Sequence, residues 1–315
     1  MNKRASRELK VGLLGLGVVG DGVATHLIKD ADSIEKQLGV RIVITKILVR
    51  DLSKPRADTI PYSLLTANQN EILNSSEVDI IVEVMGGEQP ASDYISEAIK
   101  SGKHVVTANK EVMAKFGPDL LELAQQNKVS LLFEASVGGA IPIIGNLSND
   151  LIANRVSSIR GIINGTSNYI LTRMSQDHAE FGKALDEAQQ QGYAESDPTN
   201  DVEGIDAVYK LSIMSSLAFH TNVNPNDIYC EGITQLQTQD FRYADELGYA
   251  IKSLGIASLK GSWIQARVHP ALLPKEHMLA KVDGVYNAVE VAGDLCGQVL
   301  FHGQGAGKEP TTSAV

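Results

Sequence analysis

A glycine-rich turn between a buried strand and a helix constrains the fold of this chain more than any other feature. Residues 15–20 read Gly-Leu-Gly-Val-Val-Gly, after the apolar stretch 11–14 and before the helical pattern 21–28. In such a turn the first glycine permits a tight bend, the second lets a pyrophosphate approach the backbone, and the third lets helix and strand pack closely. The helix N-terminus offers unpaired N–H groups to phosphate. The motif therefore predicts a dinucleotide site formed by Gly15, Leu16, Gly17, Val18, Val19 and Gly20; the alternative is an ordinary glycine-rich turn.

The sequence from residue 10 to 135 alternates apolar strands with helical patterns. Continuous apolar strands that alternate with helices indicate βαβ units around a buried parallel sheet. We therefore predict an α/β fold whose N-terminal domain, residues 1–135, contains a Rossmann-type parallel sheet. The predicted strands are 10–14, 41–49, 78–84, 104–107 and 130–133, and the helical patterns include 92–100 and 118–127.

The pattern changes near Ala135. A helix-like segment at 138–154, a strand at 156–163 and three helical patterns follow, the last and longest at 201–219; strand-like pieces lie at 262–268 and 278–282. This mixture predicts a second α+β domain, catalytic and dimerising, over residues 136–300. Residues 301–315 are predicted to return toward the nucleotide domain.

Charge and composition exclude several classes of function. The net charge of the 315 residues is −10 and no run of Lys and Arg interrupts it, so a nucleic-acid partner is not expected. The segment 1–10 lacks the apolar core of a signal peptide, and no apolar run is long enough to span a membrane. The two cysteines, Cys230 and Cys296, form no C-x-x-C motif, which is typical of a cytoplasmic protein. The seven histidines show no metal-ligand spacing.

The end of the second predicted strand bears on the choice of dinucleotide. It reads Val49-Arg50-Asp51. An acid there binds the ribose 2′-hydroxyl of NAD, whereas an arginine accommodates the 2′-phosphate of NADP. Because Arg50 comes first, we predict that NADP(H) is preferred and that NAD(H) can be used; both residues could instead be solvated loop charges.

Polar residues also cluster in three stretches farther along the chain. Lys110 follows a predicted strand, where open α/β sheets bind ligands. The turn 192–198 presents Glu195. Asp206 and Lys210 stand four residues apart on one helix face. A surface salt bridge is the usual explanation for such a pair, but a buried lysine beside a carboxylate can be tuned for proton transfer.

Eight motifs stand in order along the chain: GLGVVG, EVMGG, VVTANKE, FEASVGGAIPII, GIINGTSNYIL, GYAESDPTNDVEGIDAVYKL, HMLAKVDGVYNAV and GQGAGKEPTTSAV. By these motifs and their order the sequence resembles the homoserine dehydrogenase family over nearly its whole length. The resemblance implies the NAD(P)-dependent interconversion of L-homoserine and L-aspartate 4-semialdehyde in threonine, methionine and isoleucine biosynthesis. Members continue past a segment like 311–315 into a helix, and many add a regulatory domain.

The resemblance also implies roles for individual residues. Lys210 matches the family's proton donor, and Lys110 matches the lysine lying between cofactor and substrate. Glu195 and Asp206 match the carboxylates that bind homoserine, and Asp201 is expected to steady a catalytic lysine. The further cofactor contacts it implies are Gly86, Lys110 and Gly305.

A monovalent cation and a second subunit complete the expectations. Residues 134–141 match the family's loop for a cation such as sodium, which backbone oxygens of Glu134, Val137, Gly139 and Ile141 would bind. Residues 277–291 alternate apolar and polar side chains and resemble the family's dimerisation strands. We predict a homodimer, or a higher oligomer, formed by pairing of an open strand edge in this segment; the alternative is that another strand of the same subunit covers the edge.

Two other classes of protein share part of this pattern. Another amino-acid or aldehyde dehydrogenase with a lysine donor would lack the turn 192–198 together with the Asp206 and Lys210 helix. A non-catalytic nucleotide-binding regulator would keep the glycine-rich turn but would have no use for Lys110, Glu195, Asp206 and Lys210 together.

Overall fold

The computed structural model describes residues 8–315 and divides the chain into two compact units. One consists of Met1–Ser136 with Gly307–Val315, and the other of Val137–Ala306. The segment 1–7, which belongs to the predicted first domain and to the stretch without signal-peptide character, lies outside the described residues.

The first unit is built on a parallel sheet of six strands. The strands are β1 (Glu8–Leu14), β2 (Arg41–Leu48), β3 (Leu65–Thr66), β4 (Ile80–Glu83), β5 (His104–Thr107) and β6 (Leu131–Leu132). Their order in the sheet is β3-β2-β1-β4-β5-β6, and every neighbouring pair is parallel. This is the strand order of a Rossmann sheet, in which the switch point lies between β1 and β4. The helices are α1 (Val18–Lys29), α2 (Ala31–Leu38), α3 (Asn70–Leu73), α4 (Ala91–Lys100) and α5 (Lys110–Gln126).

Burial explains why the strands of this sheet could be predicted. Leu13, Leu14, Ile47, Ile81 and Val105 have no exposed surface, because helices cover both faces of a parallel sheet. The predicted helix at 118–127 is wrong at its start, since α5 begins eight residues earlier. The Asn109 side chain caps the helix by accepting a hydrogen bond from the Val112 N–H (3.1 Å), and the helix continues through Pro118.

The second unit contains a mixed sheet packed with helices. Its helices are α6 (Ile143–Gly145), α7 (Gly165–Gln176), α8 (Phe181–Gln190), α9 (Thr199–Val202), α10 (Ile205–Ala218) and α11 (Thr238–Glu246). Its strands are β7 (Val156–Ile162), β8 (Tyr229–Cys230), β9 (Tyr249–Lys260), β10 (Trp263–Pro274), β11 (Tyr286–Gly293) and β12 (Gly297–Gln304). The order is β12-β11-β7-β9-β10-β8, and all pairs are antiparallel except β10 with β8. The predicted fold class, an α/β chain with a Rossmann-type sheet and a second α+β unit, is confirmed.

A glycine divides the helix that was predicted over 201–219. Gly204 has a left-handed φ of +82°, so α9 ends before it and α10 begins after it. A Cβ at this position would lie 2.9 Å from Cys230 Sγ and 3.2 Å from a methyl group of Val268. The break therefore depends on both the conformation and the close packing that glycine permits.

The prediction for residues 277–291 is wrong in two respects. Met278–Lys281 is a 3₁₀ helix instead of a strand, because His277 Nδ1 accepts a hydrogen bond from the Leu279 N–H (3.2 Å) and Leu279 is fully buried. The strand that follows, β11, is not an edge, because β12 and β7 pair with it on either side. Pairing of an open edge in this segment therefore cannot build a dimer.

The two faces of the second sheet differ. A Cβ at Gly255 on β9 would contact Ile163 and Leu211, which places that face against α10. On the opposite face the 3₁₀ helix Met278–Lys281 contributes to a small core with Ile162 and Leu254. On the same face the strand register aligns one row of side chains across five strands, and two of them, Ile256 and Leu300, pack against that core. The row is Leu300, Glu290, Arg160, Ile256 and Arg267.

The last helix, α12 (Lys308–Ala314), belongs to the first unit. It packs on α1, where Gly22 leaves no room for a side chain because Thr312 Oγ1 lies against it. Lys308 Nζ forms an ion pair with Asp21 Oδ2 at 2.6 Å. The segment 301–304, predicted to return toward the nucleotide domain, is instead part of β12.

Candidate active site

The glycine-rich turn lies at the carboxyl end of β1, where open α/β sheets bind their ligands. Gly15 has a φ of +101°, and a Cβ on Gly20 would collide with the Gly15 carbonyl oxygen, so the turn itself requires both glycines. Gly17 is different, because a Cβ there would meet no atom of residues 8–315 within 4 Å. The open space beside Gly17 and the exposed first residue of α1, Val18, fit a ligand that lies against the helix N-terminus.

A cleft of about 670 Å³ opens beside this turn. Five of the predicted cofactor residues line it: Gly15, Leu16, Gly17, Arg50 and Gly86. Its other lining residues include Asp51, Lys54, Arg56, Met85, Gln89 and Tyr94. A volume of this size is in the range of small-molecule and cofactor sites. Lys54 and Arg56 were not predicted; two basic residues shortly after the end of a strand were the available signal.

The loop after β2 presents its positive charges to the cleft. Arg56 donates hydrogen bonds to the Leu16 carbonyl (2.8 Å) and to the Asp51 carbonyl (3.3 Å), which joins this loop to the glycine-rich turn. Asp51 Oδ1 accepts bonds from the Ser53 hydroxyl (2.6 Å) and the Ser53 N–H (2.8 Å), and these bonds lower the pKa of Asp51. The carboxylate that could have bound the ribose 2′-hydroxyl of NAD is thus engaged within its own loop.

A buried carboxyl group organises the loops that follow β4 and β5. These loops lie at the carboxyl end of the parallel sheet, as the glycine-rich turn does, and this end is called the cofactor edge. Glu83, at the end of β4, has no exposed surface. Its Oε1 accepts a hydrogen bond from the Met85 N–H (2.7 Å), and its Oε2 accepts one from the Thr107 hydroxyl (2.6 Å). Burial raises the pKa of Glu83, against the opposing effect of these hydrogen bonds. An acid at the end of an apolar run was the signal that sequence analysis overlooked.

The same network positions the start of α5, where Lys110 lies half-buried. The Asn109 side chain donates to the Gly87 carbonyl (2.7 Å), and its N–H donates to the Thr107 hydroxyl (3.0 Å). Glu83, Thr107 and Asn109 therefore tie the loop that carries Gly86 to the residue before Lys110.

In the second unit, the ends of β7, α7, α9 and α10 bring together three of the predicted site residues. Lys210 Nζ lies 2.7 Å from Asp206 Oδ2 and donates a hydrogen bond to the Ile163 carbonyl (2.9 Å). The Asn164 side-chain nitrogen donates to Asp201 Oδ1 (2.7 Å) and to Asp206 Oδ2 (2.9 Å). Asn164 was not predicted, although an asparagine between a strand and a helix is a recognised helix cap.

Burial decides against a surface salt bridge. Asp206 is 3% exposed and Lys210 is 8% exposed. Water screens an exposed pair, so such a pair contributes about 0–1 kcal/mol, whereas removing one partner of a buried pair typically costs about 3–5 kcal/mol. The Asp206–Lys210 contact is therefore a strong local constraint.

Glu195 lies on an exposed turn between α8 and α9. The turn is held to the start of α7, because the Thr166 hydroxyl donates to the Tyr193 carbonyl at 2.6 Å. The Glu195 carbonyl accepts a bond from Gln189 Nε2 at 3.0 Å. The carboxylate is thus presented from a turn whose neighbours contact the helix that follows Asn164.

The residues of the predicted cation loop form a tight turn in the second unit, apart from Glu134, which belongs to the first. Gly138 and Gly139 have left-handed φ values of +78° and +52°. The Ala140 N–H donates to the Gln304 carbonyl (3.0 Å), and a Cβ on Gly139 would lie 2.7 Å from the carbonyl carbon of Gly305. The Ile141 carbonyl accepts a bond from the Ile143 N–H at 2.8 Å.

Among residues 8–315, no group of three or more His, Cys, Asp or Glu side chains is arranged to hold a metal ion. In the same part of the chain, no helix combines the length and the apolar character needed to cross a membrane.

Comparison with known proteins gives consistent matches along the chain. A family model described as "Homoserine dehydrogenase, NAD binding domain" matches residues 15–134, and one described as "Homoserine dehydrogenase" matches residues 142–315. The homoserine dehydrogenase of Neisseria gonorrhoeae is 47% identical over 310 residues, which are 98% of this chain and 71% of the relative.

Solved structures agree. A homoserine dehydrogenase from Thiobacillus denitrificans has a TM-score of 0.94 at 48% identity. The match covers 98% of this chain and 72% of the Thiobacillus chain. A hyperthermophilic archaeal homoserine dehydrogenase in complex with NADPH has a TM-score of 0.81 at 26% identity. The match covers 98% of this chain and 95% of the archaeal chain.

A Rossmann sheet with an open glycine turn, followed by a unit that buries a lysine among carboxylates, defines a nicotinamide-dependent dehydrogenase. Both family models and the relatives specify the branch. The chain belongs to the homoserine dehydrogenase family. Its reaction is the NAD(P)-dependent interconversion of L-homoserine and L-aspartate 4-semialdehyde, a step in the biosynthesis of threonine, methionine and isoleucine.

The raised pKa of Glu83 makes a prediction about stability. The folded protein binds this proton more tightly than the unfolded chain, in which the pKa is near 4.5. The contribution of Glu83 to the free energy of unfolding is therefore largest below pH 4.5 and falls as the pH rises through the raised pKa, by up to about 1.4 kcal/mol per pH unit. We expect the stability advantage of the wild type over Glu83→Gln to shrink across that range.

Thermal unfolding at a series of pH values measures this difference. Glu122→Gln, at an exposed position on α5, is the control and should run parallel to the wild type. If Glu83→Gln also ran parallel to the wild type, the titration of Glu83 would not contribute.

Proposed function

We propose that Lys210 is the proton-transfer group of this homoserine dehydrogenase. The single observation that carries the proposal is the buried contact of Lys210 Nζ with Asp206 Oδ2 at 2.7 Å, beside an Asn164 side chain that bonds to both Asp206 and Asp201. Two of the three ammonium donors of Lys210 are directed at Asp206 and at the Ile163 carbonyl. The third is left for the substrate oxygen.

The chemistry of the reaction requires such a group. The bound nicotinamide cofactor supplies the hydride that adds to the carbonyl carbon of the semialdehyde. As the carbonyl oxygen becomes a hydroxyl, the Lys210 ammonium donates the proton to it, and in the oxidation of homoserine the Lys210 amine accepts that proton. Lys110, the first residue of α5, is the second catalytic lysine in this proposal, and the network around Glu83 supports its placement at the cofactor edge.

Three carboxylates are proposed to bind and orient the substrate, which carries an ammonium group. We assign Glu195, exposed on its turn, to a charge-assisted contact with that group, and Asp206 and Asp201 to binding and orienting the substrate. The hydrogen bonds from Asn164 to both aspartates support their action as one cluster.

The cofactor preference follows from the charges at the cleft. We propose NADP(H) as the preferred cofactor and NAD(H) as an alternative, because Arg50, Lys54 and Arg56 line the cleft while the carboxylate of Asp51 bonds to Ser53. The proposed cofactor residues are Gly15, Leu16, Gly17, Val18, Val19, Gly20, Arg50, Gly86, Lys110 and Gly305.

A monovalent cation such as sodium is proposed at the backbone oxygens of Glu134, Val137, Gly139 and Ile141. Backbone carbonyl oxygens are suitable ligands for a hard cation, and the left-handed glycines of this turn let the chain fold closely around one. Activity in sodium chloride compared with choline chloride at equal ionic strength tests the assignment. A cytoplasmic location is proposed because Cys230 and Cys296 are free thiols.

We also propose a homodimer, formed by the face of the second sheet that lies opposite α10. Support comes from the row in which the half-buried apolar side chains of Ile256 and Leu300 lie beside the charged side chains of Glu290, Arg160 and Arg267. A face of this composition suits an isologous interface, in which the same patch meets itself across a two-fold axis.

Two substitutions should separate proton transfer from substrate binding. Lys210→Ala should lower kcat by roughly 10²–10⁴-fold, because a positioned acid–base group is lost. Glu195→Gln should mainly raise the KM for homoserine, because its contact is present in ground and transition states alike. Steady-state kinetics and NADPH titration measure both, with Lys275→Ala, at a partly exposed lysine paired with Asp245, as the control. Retention of more than half the wild-type kcat in Lys210→Ala would refute the assignment.

Arg50→Ala should weaken NADP(H) selectively. A guanidinium that contacts the 2′-phosphate favours the phosphorylated dinucleotide, so the ratio of kcat/KM for NADP(H) to that for NAD(H) should fall. Arg41→Ala, at the other end of β2, removes the same charge and should leave the ratio unchanged. An equal loss for both cofactors would show that Arg50 does not discriminate.

Light scattering at micromolar protein should give a mass near twice the 33.8 kDa of the chain. Ile256→Arg should shift it toward the monomer, because the substitution places a charge in the proposed interface. Leu38→Arg, at an exposed position on α2 of the first unit, should not. A wild type that scatters as a monomer would exclude the dimer.

A further inference from the structure

Asn164 has a position that helix capping alone does not explain. It is 8% exposed and lies between β7 and α7. Its side-chain oxygen accepts a hydrogen bond from the Ser167 N–H at 2.8 Å, which caps α7. Serine and aspartate cap helices as well as asparagine does, because a cap needs only an acceptor. The side-chain nitrogen, the other half of the amide, must therefore explain why this residue is an asparagine.

That half bridges two carboxylates. The side-chain nitrogen donates one hydrogen to Asp201 Oδ1 (2.7 Å) and one to Asp206 Oδ2 (2.9 Å), so both of its donors are used. Two carboxylates within reach of one nitrogen repel each other. The amide offsets that repulsion and fixes where each oxygen lies. Among the three uncharged capping residues, serine, threonine and asparagine, only asparagine offers two donors as well as the acceptor.

The bridge closes a ring around Lys210. Asp206 Oδ2 accepts from both Asn164 and Lys210, and Lys210 donates in turn to the carbonyl of Ile163, the residue before Asn164. Two adjacent residues at the end of β7 thus determine both acceptors of the ammonium group. Since an ammonium is tetrahedral, fixing two of its N–H directions fixes the third.

We propose that Asn164 is a positioning residue for proton transfer, which aims the remaining N–H of Lys210 by holding Asp206 and Asp201 in place. The proposal rests on the assignment of Lys210 as the proton-transfer group. Asn164 acts through the cluster and is not itself assigned a contact with substrate.

Two variants separate positioning from capping. Asn164→Asp keeps the shape and the capping oxygen but replaces the donor with an acceptor beside two carboxylates. Asn164→Ser keeps a cap and offers at most one donor. A role limited to capping predicts wild-type kcat in both. Positioning predicts that kcat falls roughly 10-fold in Asn164→Ser and roughly 10²-fold in Asn164→Asp, since small misplacements near the chemistry have effects of this size.

The solvent deuterium isotope effect on kcat distinguishes positioning from general damage. A misdirected proton donor makes proton transfer more rate-limiting, so the effect should rise above the wild-type value in both variants. A smaller fraction of folded enzyme lowers kcat without changing the isotope effect. The affinity for NADPH should stay unchanged, because the glycine-rich turn proposed to bind it belongs to the other unit. Asn224→Asp, at another asparagine cap, whose oxygen accepts from the Asn226 N–H (2.9 Å), should match the wild type in all readouts.

Lys210→Ala and the wild type are measured in parallel. An active Lys210→Ala enzyme would refute the assignment of Lys210 itself. With Lys210→Ala inactive, wild-type kcat in Asn164→Asp, or a reduced kcat with an unchanged isotope effect in both variants, would overturn the inference for Asn164. If Asn164→Asp does not fold, the Asn164→Ser result decides.

Discussion

The ion pair between Lys210 and Asp206 sets requirements that much of the second unit meets. Removing an ammonium and a carboxylate from water costs several kcal/mol per ion, and their attraction offsets this only when the remaining polar atoms are also bonded. Here the Ile163 carbonyl and the Asn164 amide provide those bonds. Gly204 must also break the helix, so that α10 starts where Asp206 and Lys210 reach the end of β7. The contacts that stabilise the unit are therefore the contacts that prepare its chemistry.

The first unit solves a similar problem without a cation. The buried carboxyl group of Glu83 is satisfied by N–H and hydroxyl donors from the loops that follow β4 and β5. Because a buried polar group without partners is costly, these loops are held close to one geometry. Those loops carry Gly86 and precede Lys110. A buried polar residue at the end of a strand thus fixes the conformation of the loops at the cofactor edge.

The sequence predicted the parts of the structure that depend on local chain chemistry. The strand at 104–107 and the start of β2 were correct to the residue, because buried parallel strands are continuous apolar runs. The glycine-rich turn was predictable because its conformation has few alternatives to glycine. The 3₁₀ helix Met278–Lys281 was mistaken for a strand, since a buried Leu279 flanked by less buried residues mimics strand alternation.

The residues that the sequence did not reveal act across long stretches of chain. Asn164 contacts Asp201 and Asp206, which lie 37 and 42 residues away, and Thr107 reaches back 24 residues to Glu83. Local signals mark some of these residues singly, but no local pattern shows which of them bond to one another. Similarly, only the pairing of β11 on both sides revealed that the segment 277–291 offers no open edge. Long-range hydrogen bonding and strand order are properties of the assembled fold, so they had to be read from the structure.

The packing of α12 on α1 has a consequence for how the protein is made. Synthesis from the N-terminus delivers α1 early, but its partner surface at Gly22 and Asp21 is completed only by residues 308–312. The whole of Val137–Ala306 must leave the ribosome in between. During that interval the helix that follows the glycine-rich turn lacks part of its support. The nucleotide-binding unit is therefore a discontinuous folding unit, whose sheet is synthesised before Val137–Ala306 and whose helix α12 is synthesised after it.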